Sequence, residues 1–154
     1  MPRLSHHPVL DYSQITPYIF VGTNMCCQVH FEEELLAKGI KVDISLERER
    51  LDSPEGVEAF LWLPIKDHYA PSRLQLQLGV ELLEEIVELK KQVYVHCKNG
   101  HGRAPTLVAA YLMAEQGMSV AEAIAFIKKR RPSIHLHPRQ RRSLSAFYAD
   151  SRAD

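Results

Sequence analysis

The sequence predicts one α/β domain, a mainly parallel central sheet flanked by helices. Three observations predict it. Short apolar runs alternate along the chain with longer segments of helical period. Glycines, prolines and capping residues stand where each strand must hand over to a helix. Neither an internal repeat nor a low-complexity linker interrupts the 154 residues, enough to close a single hydrophobic core. The domain is therefore expected to span residues 1–154.

Tyr18 to Val21 reads as a short strand entered through Pro17 and left at Gly22. Phe31 to Lys38 reads as a helix ending at Gly39, and Lys41 to Leu46 as a strand with Val42 and Ile44 inside. The charged segment from Glu47 to Gly56 carries Pro54 and is expected to be loop. Ala59 to Ile65 is apolar enough for a buried strand, and Pro64 and Pro71 bracket "IKDHYA" as an extended surface loop. Ser72 is a good N-cap for a long helix reaching about Lys91. Leu74, Leu78, Leu82, Ile86 and Leu89 are expected along its inner face, flanked by Glu81, Glu84, Glu85 and Glu88. Gln92 to His96 is the next strand, and Arg103 to Gln116 the helix after it, stopped by Gly117. Ser119 and Glu122 form a capping-box pattern for a helix running to about Arg130, before Pro132. Pro138 suits the first turn of a last helix, expected to bury Leu144 and Phe147.

Composition bounds the partners. The chain is 45% hydrophobic and 25% charged, ordinary for a globular protein, and Lys plus Arg equals Asp plus Glu at 19 each. Lys128, Lys129, Arg130, Arg131, Arg139, Arg141 and Arg142 crowd one stretch without an acid, opposite in sign to the run Glu32 to Glu34. They read as a solvated helix end with cations near its carbonyls. No stacking aromatics or nucleic-acid motif accompany them, so no nucleic-acid partner is expected, while an acidic lipid surface stays open as a partner. The longest apolar stretch, Leu107 to Ala114, is too short for a membrane span. The polar segment Met1 to His7 lacks the apolar core of a secretion signal. Three cysteines, an odd number, argue against a disulfide framework and for a reducing cytoplasm.

One stretch carries chemistry: "VYVHCKNGHGRAPTLV", Val93 to Val108. It places Cys97 at the end of a strand, follows it with a polar loop, and opens a helix at Arg103. The carboxyl end of a strand is where α/β sheets bind ligands. Gly100 and Gly102 let Lys98, Asn99, Gly100, His101 and Gly102 curl their N–H groups inward into an anion-binding nest. The helix start adds unpaired N–H donors and the positive end of its dipole. Arg103 supplies a permanently charged fork matching two phosphate oxygens. The same field favours thiolate at Cys97, from an ordinary thiol pKa of ~8.5. One loop would thus bind a phosphate dianion and hold a nucleophile beneath it. The Walker phosphate loop is excluded, since its glycine-lysine-serine/threonine ending is absent.

"HCKNGHGR" matches the His-Cys-(five residues)-Arg signature of the cysteine-based protein tyrosine phosphatases. In the order of its parts the chain resembles the compact dual-specificity phosphatases. "ITPYIFVG" looks like their entry strand, "LPIKDHYAPS" like their mobile acid loop, and "AIAFIKKRRPSIHLHPRQ" like their C-terminal helix and turn. The resemblance implies a phosphotyrosine-phosphatase-like fold and phosphomonoester hydrolysis through a phosphocysteine, without cofactor or metal. It implies that Asp67 protonates the leaving oxygen and later takes a proton from the attacking water. Asp43, in a predicted strand, and Asp52, in a charged loop, are the other aspartates weighed for that role. His96 is implied to order the loop and hold the cysteine as thiolate without touching substrate. Gln140 falls where some relatives place a water-orienting amide. Cys26 and Cys27 read as buried thiols, with a protective disulfide to the nucleophile as the alternative. His135 and His137 alternate like strand residues on one face, but no cysteine or carboxylate cluster completes a metal set.

One departure stands out. The family usually carries Ser or Thr directly after the arginine, where its hydroxyl helps the sulfur leave. Here Ala104 and Pro105 follow Arg103, and Thr106 comes two residues too late on a helix turning about 100° per residue. Phosphoenzyme formation is expected to survive and its hydrolysis to slow. The expected substrate is a phosphorylated protein, tyrosine or dual-specificity, in a shallow cleft. Lys98 and His101 leave a phosphoinositide or other phospholipid as the alternative. A non-catalytic phosphate-binding module is the reading that both Cys97 and Asp67 oppose.

Overall fold

The structure, a computed structural model, describes residues 10–25 and 31–152. Five strands, β1 (Tyr12–Gln14), β2 (Ile19–Gly22), β3 (Ile40–Glu47), β4 (Ala59–Ile65) and β5 (Gln92–His96), form one sheet in the order β1-β2-β5-β3-β4. Only the β1–β2 pair is antiparallel; β2, β5, β3 and β4 run parallel, as expected for strands joined through helices. The helices are α1 (Glu33–Ala37), α2 (Arg73–Glu88), α3 (Arg103–Gln116), α4 (Val120–Arg130) and α5 (Pro138–Ser151).

Each face of the sheet has its own apolar layer. Val93 and Val95 of β5 and Val42 and Ile44 of β3 face helices α2 to α5, in a core continued by Leu83, Leu107, Leu112, Ile127 and Leu144. Phe20, Ile40 and Tyr94 face the other side, against Phe31, Met25 and Leu35 of the α1 region. β5 lies at the centre of the sheet, so its carboxyl end is enclosed by neighbours on both sides. Pro64 is tolerated because β4 is an edge strand.

Most boundaries agree with the sequence reading, and α2 and α4 each begin with a complete capping box, Ser72–Gln75 and Ser119–Glu122. Four differences have physical causes. β1 has no apolar alternation in "YSQ" and exists through its pairing with β2, Tyr12 opposite Gly22. β3 continues through Glu47, which was expected to begin the loop. The first helix is shorter than expected, with Phe31 outside it and buried in the second core.

The largest difference is the inner face of α2. Buried there are Leu76, Gly79, Val80, Leu83 and Ile86, whereas Leu74, Leu78 and Leu89 are exposed. Leucines spaced by four drift around a helix that turns about 100° per residue, so of the expected set only Ile86 is buried and Leu82 partly so. Gly79 decides the phase. A Cβ there would lie 2.5 Å from Leu107 Cδ1, so α2 and α3 meet through a glycine. Gly79→Ala should therefore cost about 1–3 kcal/mol by overpacking, while Leu78→Ala should stay within about 0.5 kcal/mol; urea unfolding of both variants checks the phase.

Candidate active site

Cys97 directly follows His96, the last residue of the central strand, and only 3% of it reaches solvent. The chain then turns through residues 98–102 into α3. Gly102 occupies the N-cap position without a side-chain cap, so the helix start keeps its N–H donors free of one. Gly100 has φ of 67°, and a Cβ there would sit 2.7 Å from the Gly22 carbonyl and 2.9 Å from Arg131 Nη2. Only glycine fits that position.

Arg131 explains how the loop keeps its curl. The sequence reading placed it in a solvated basic run, yet it is 2% exposed. Its Nε donates to the Gly100 carbonyl at 2.9 Å and its Nη2 to the Asn99 carbonyl at 3.0 Å. Ser13 Oγ accepts from Nη1, and the Asp11 carboxylate lies 3.2 Å from Nη2. Arg131 does not line the cavity described next, so the two loop carbonyls are committed away from it.

That cavity has a volume of about 310 Å³ and is lined by Cys97, Asn99, His101, Gly102 and Arg103 from the loop. Asp67 and His68 close it from the segment after β4, and His135, His137 and Gln140 from the start of α5. Cys97, Arg103 and Asp67 are thus brought to one place from distant parts of the chain. The Lys98 side chain is exposed, and neither Lys98 nor Gly100, both expected in the nest through their N–H groups, lines the cavity.

Arg103 is 2% exposed and held in place. Its Nη1 donates to Glu49 Oε2 at 2.7 Å and to the Ile65 carbonyl at 2.6 Å, and its Nη2 lies 3.6 Å from Asp67 Oδ1. Its buried Nε has no hydrogen-bond partner among the described residues, which leaves a donor for an oxyanion. Glu49 also accepts the Asp67 N–H at 3.0 Å, so one carboxylate links the arginine to the acid segment. Burial raises the Glu49 pKa, but the Arg103 guanidinium and two backbone N–H groups outweigh it and lower the carboxyl below its ordinary value. The sequence reading missed Glu49, because alternating charges in "ERER" look like a solvated loop.

Asp67 is half exposed, with Oδ1 accepting the N–H of His68, a residue at φ of 66°. The rival aspartates do not reach the cavity. Asp43 is fully buried 2.9 Å from His96 Nε2, and Asp52 is paired with Arg50 at 2.6 Å. Gln140 does line the cavity, but both ends of its amide hold main chain: Oε1 accepts the His137 N–H at 2.8 Å and Nε2 donates to the Tyr69 carbonyl at 3.1 Å. It ties the acid segment to α5. Thr106 Oγ1 donates to the Gly102 carbonyl at 2.7 Å, so its hydroxyl is committed within the helix and Ala104 leaves none beside the sulfur. Cys97 is a free thiol, and Cys26 and Cys27 lie outside the described residues.

Four imidazoles stand at the cavity mouth, which the sequence reading did not assemble. His101 and His135 face each other with ring centroids 5.3 Å apart, and His68 and His137 at 6.2 Å. Burial, then Arg131 and His135, push the His101 pKa below its ordinary value, while Asp11 pulls the other way. His137 Nδ1 accepts the Arg139 N–H at 3.2 Å, which turns its Nε2 into the free edge. Among the described residues no three His, Cys, Asp or Glu side chains are grouped to hold a metal ion.

Comparison with known proteins adds an independent observation. The family model described as "Dual specificity phosphatase, catalytic domain" matches residues 19–150. The chain is 39% identical over 88 residues to phosphatidylglycerophosphate phosphatase PTPMT2 of Arabidopsis thaliana, covering 56% of this chain and 39% of that one. It is 29% identical over 130 residues to dual specificity protein phosphatase 8 of Mus musculus, covering 82% of this chain and 19% of that one. These matches span about a fifth to two-fifths of the curated relatives' length. The crystal structure of PTPMT1 in complex with PI(5)P superposes with a TM-score of 0.79 at 27% identity, covering 92% of this chain and 97% of that one. Gly100→Ala, which forces a side chain into the Gly22 carbonyl, should weaken vanadate binding at least tenfold and lower stability by about 1–3 kcal/mol; calorimetric titration and urea unfolding read the two effects.

Proposed function

The chain belongs to the dual-specificity phosphatase family of catalytic domains, and on that premise we propose that it hydrolyses phosphomonoesters through a phosphocysteine on Cys97. The observation that carries this reading is the meeting of Cys97, Arg103 and Asp67 around one cavity. The substrate dianion occupies the loop against its amides and the Arg103 fork. Sulfur attacks phosphorus, the bond to the leaving oxygen breaks, and Asp67 delivers the proton that oxygen needs. Water then attacks phosphorus, its proton passes to Asp67, and the sulfur–phosphorus bond breaks to release inorganic phosphate. Because the nucleophile must stay reduced, the reading includes a reducing compartment such as the cytoplasm.

Two substrate classes fit this chemistry. A phosphoprotein, tyrosyl or dual-specificity, is supported by the family and by the long alignment to dual specificity protein phosphatase 8. A phospholipid headgroup is the second reading, and the observation favouring it is the imidazole mouth. Imidazoles there would meet a second anionic group beside the one in the loop, and relatives named for phosphatidylglycerophosphate agree with that. Among the described residues no helix is long and apolar enough to cross a membrane.

Cys97→Ser should abolish p-nitrophenyl phosphate hydrolysis while phosphate binding persists; binding without loss of turnover would overturn the covalent route. Ala104→Ser should raise the rate of phosphoenzyme breakdown, read as a larger steady-state rate against an unchanged burst. Because His101 charges only below its ordinary value of about 6.5, the KM for phosphoinositide vesicles should fall between pH 7.5 and pH 5.5 more than that for a phosphotyrosyl peptide. Equal pH dependence would favour the phosphoprotein.

A further inference from the structure

Asp43 is among the buried acids that the mechanism leaves unused. Asp43 lies inside β3, is fully buried, and sits on the sheet face away from the helices α2 to α5 that cover Cys97. A carboxylate there is costly unless something compensates it. Its Oδ1 is 2.9 Å from His96 Nε2, and His96 is also fully buried. No aligned hydrogen bond reaches either Asp43 oxygen or either His96 ring nitrogen among the described residues.

The acids around His96 favour a cation, against its burial. Tyr94, on its own strand, stacks on it with centroids 5.3 Å apart and planes 25° apart, within cation–π range. From β3 come Asp43 and Glu47, the latter receiving both contacts of the Asn24 amide, and from the following loop Asp52, already paired with Arg50. Burial lowers the His96 pKa, but Asp43 first, then Asp52 and Glu47, overcome it and the net shift is upward. Register sets the order of charges. Asp43 is opposite Tyr94 and Ser45 opposite His96, so Asp43 lies roughly 10 Å of strand behind position 97 at about 3.3 Å per residue.

We propose that Asp43 is a positioning residue for the phosphatase reaction: its buried carboxylate holds His96, the chain neighbour of Cys97, as an imidazolium. The pair then favours thiolate through the end of the strand, without touching substrate. The inference rests on Cys97 being the nucleophile, and the test separates the two.

Iodoacetate inactivation is followed against pH in the wild type and in Asp43→Asn, which keeps the shape and removes the charge. The midpoint should rise by about one unit, so that at pH values below both midpoints Asp43→Asn is alkylated about tenfold more slowly. A folded Asp43→Asn with a lower melting temperature and an unmoved midpoint would reduce Asp43 to a structural residue and overturn the inference. Failure of iodoacetate to inactivate the wild type would instead sink the nucleophile. Should Asp43→Asn not fold, imidazole NMR of the wild type decides: two ring protons on His96 at pH 7 support the inference, and a neutral ring refutes it.

Discussion

Main-chain amides can point at an anion only if the carbonyls of the same loop point elsewhere and are satisfied there. That constraint organises this protein. Arg131 takes the carbonyls of Asn99 and Gly100 on one guanidinium, and Gly100 lies flat against the Gly22 carbonyl because it has no side chain. The short β1 region supplies Asp11 and Ser13 to the other edge of Arg131. Strand β2, the loop of residues 98–102 and the end of α4 are thereby locked around one buried cation.

The same device recurs twice. Arg103 is steadied by Glu49 and the Ile65 carbonyl, and His96 is paired with Asp43. In each case an acid from β3 or the turn after it holds a side chain of the loop or its flanks. Dipoles and charges that are already aimed need no rearrangement when negative charge arrives, which is the physical basis of electrostatic catalysis. Their dielectric settings differ. Glu49 is half exposed and its pairing with Arg103 is screened, whereas Asp43 and His96 are out of water entirely.

The acid segment is positioned by main chain more than by its own side chain. Glu49 accepts the Asp67 N–H and Gln140 donates to the Tyr69 carbonyl, so the segment is pinned to β3's exit at one point and to α5 at another. The imidazoles of His68, His101, His135 and His137 come from three separate segments and meet only at the mouth.

By itself the sequence determined the α/β class, the mainly parallel sheet and the polar loop between Cys97 and Arg103. Apolar period, capping boxes and the spacing of Cys97 and Arg103 are local facts that survive without tertiary context. Tertiary structure alone decided the phase of α2, where contact through Gly79 outweighed a stripe of leucines, and the fate of "YSQ", which is a strand only because β2 is beside it. It also decided which charges are inside. Arg131 looks like its neighbours Lys129 and Arg130, and Glu49 like any acid in a charged loop; burial and partners depend on what distant segments bring. Charges act across space and sequence runs along a chain, so the loop from Cys97 to Arg103 was legible from its neighbours and its supporting ion pairs were not.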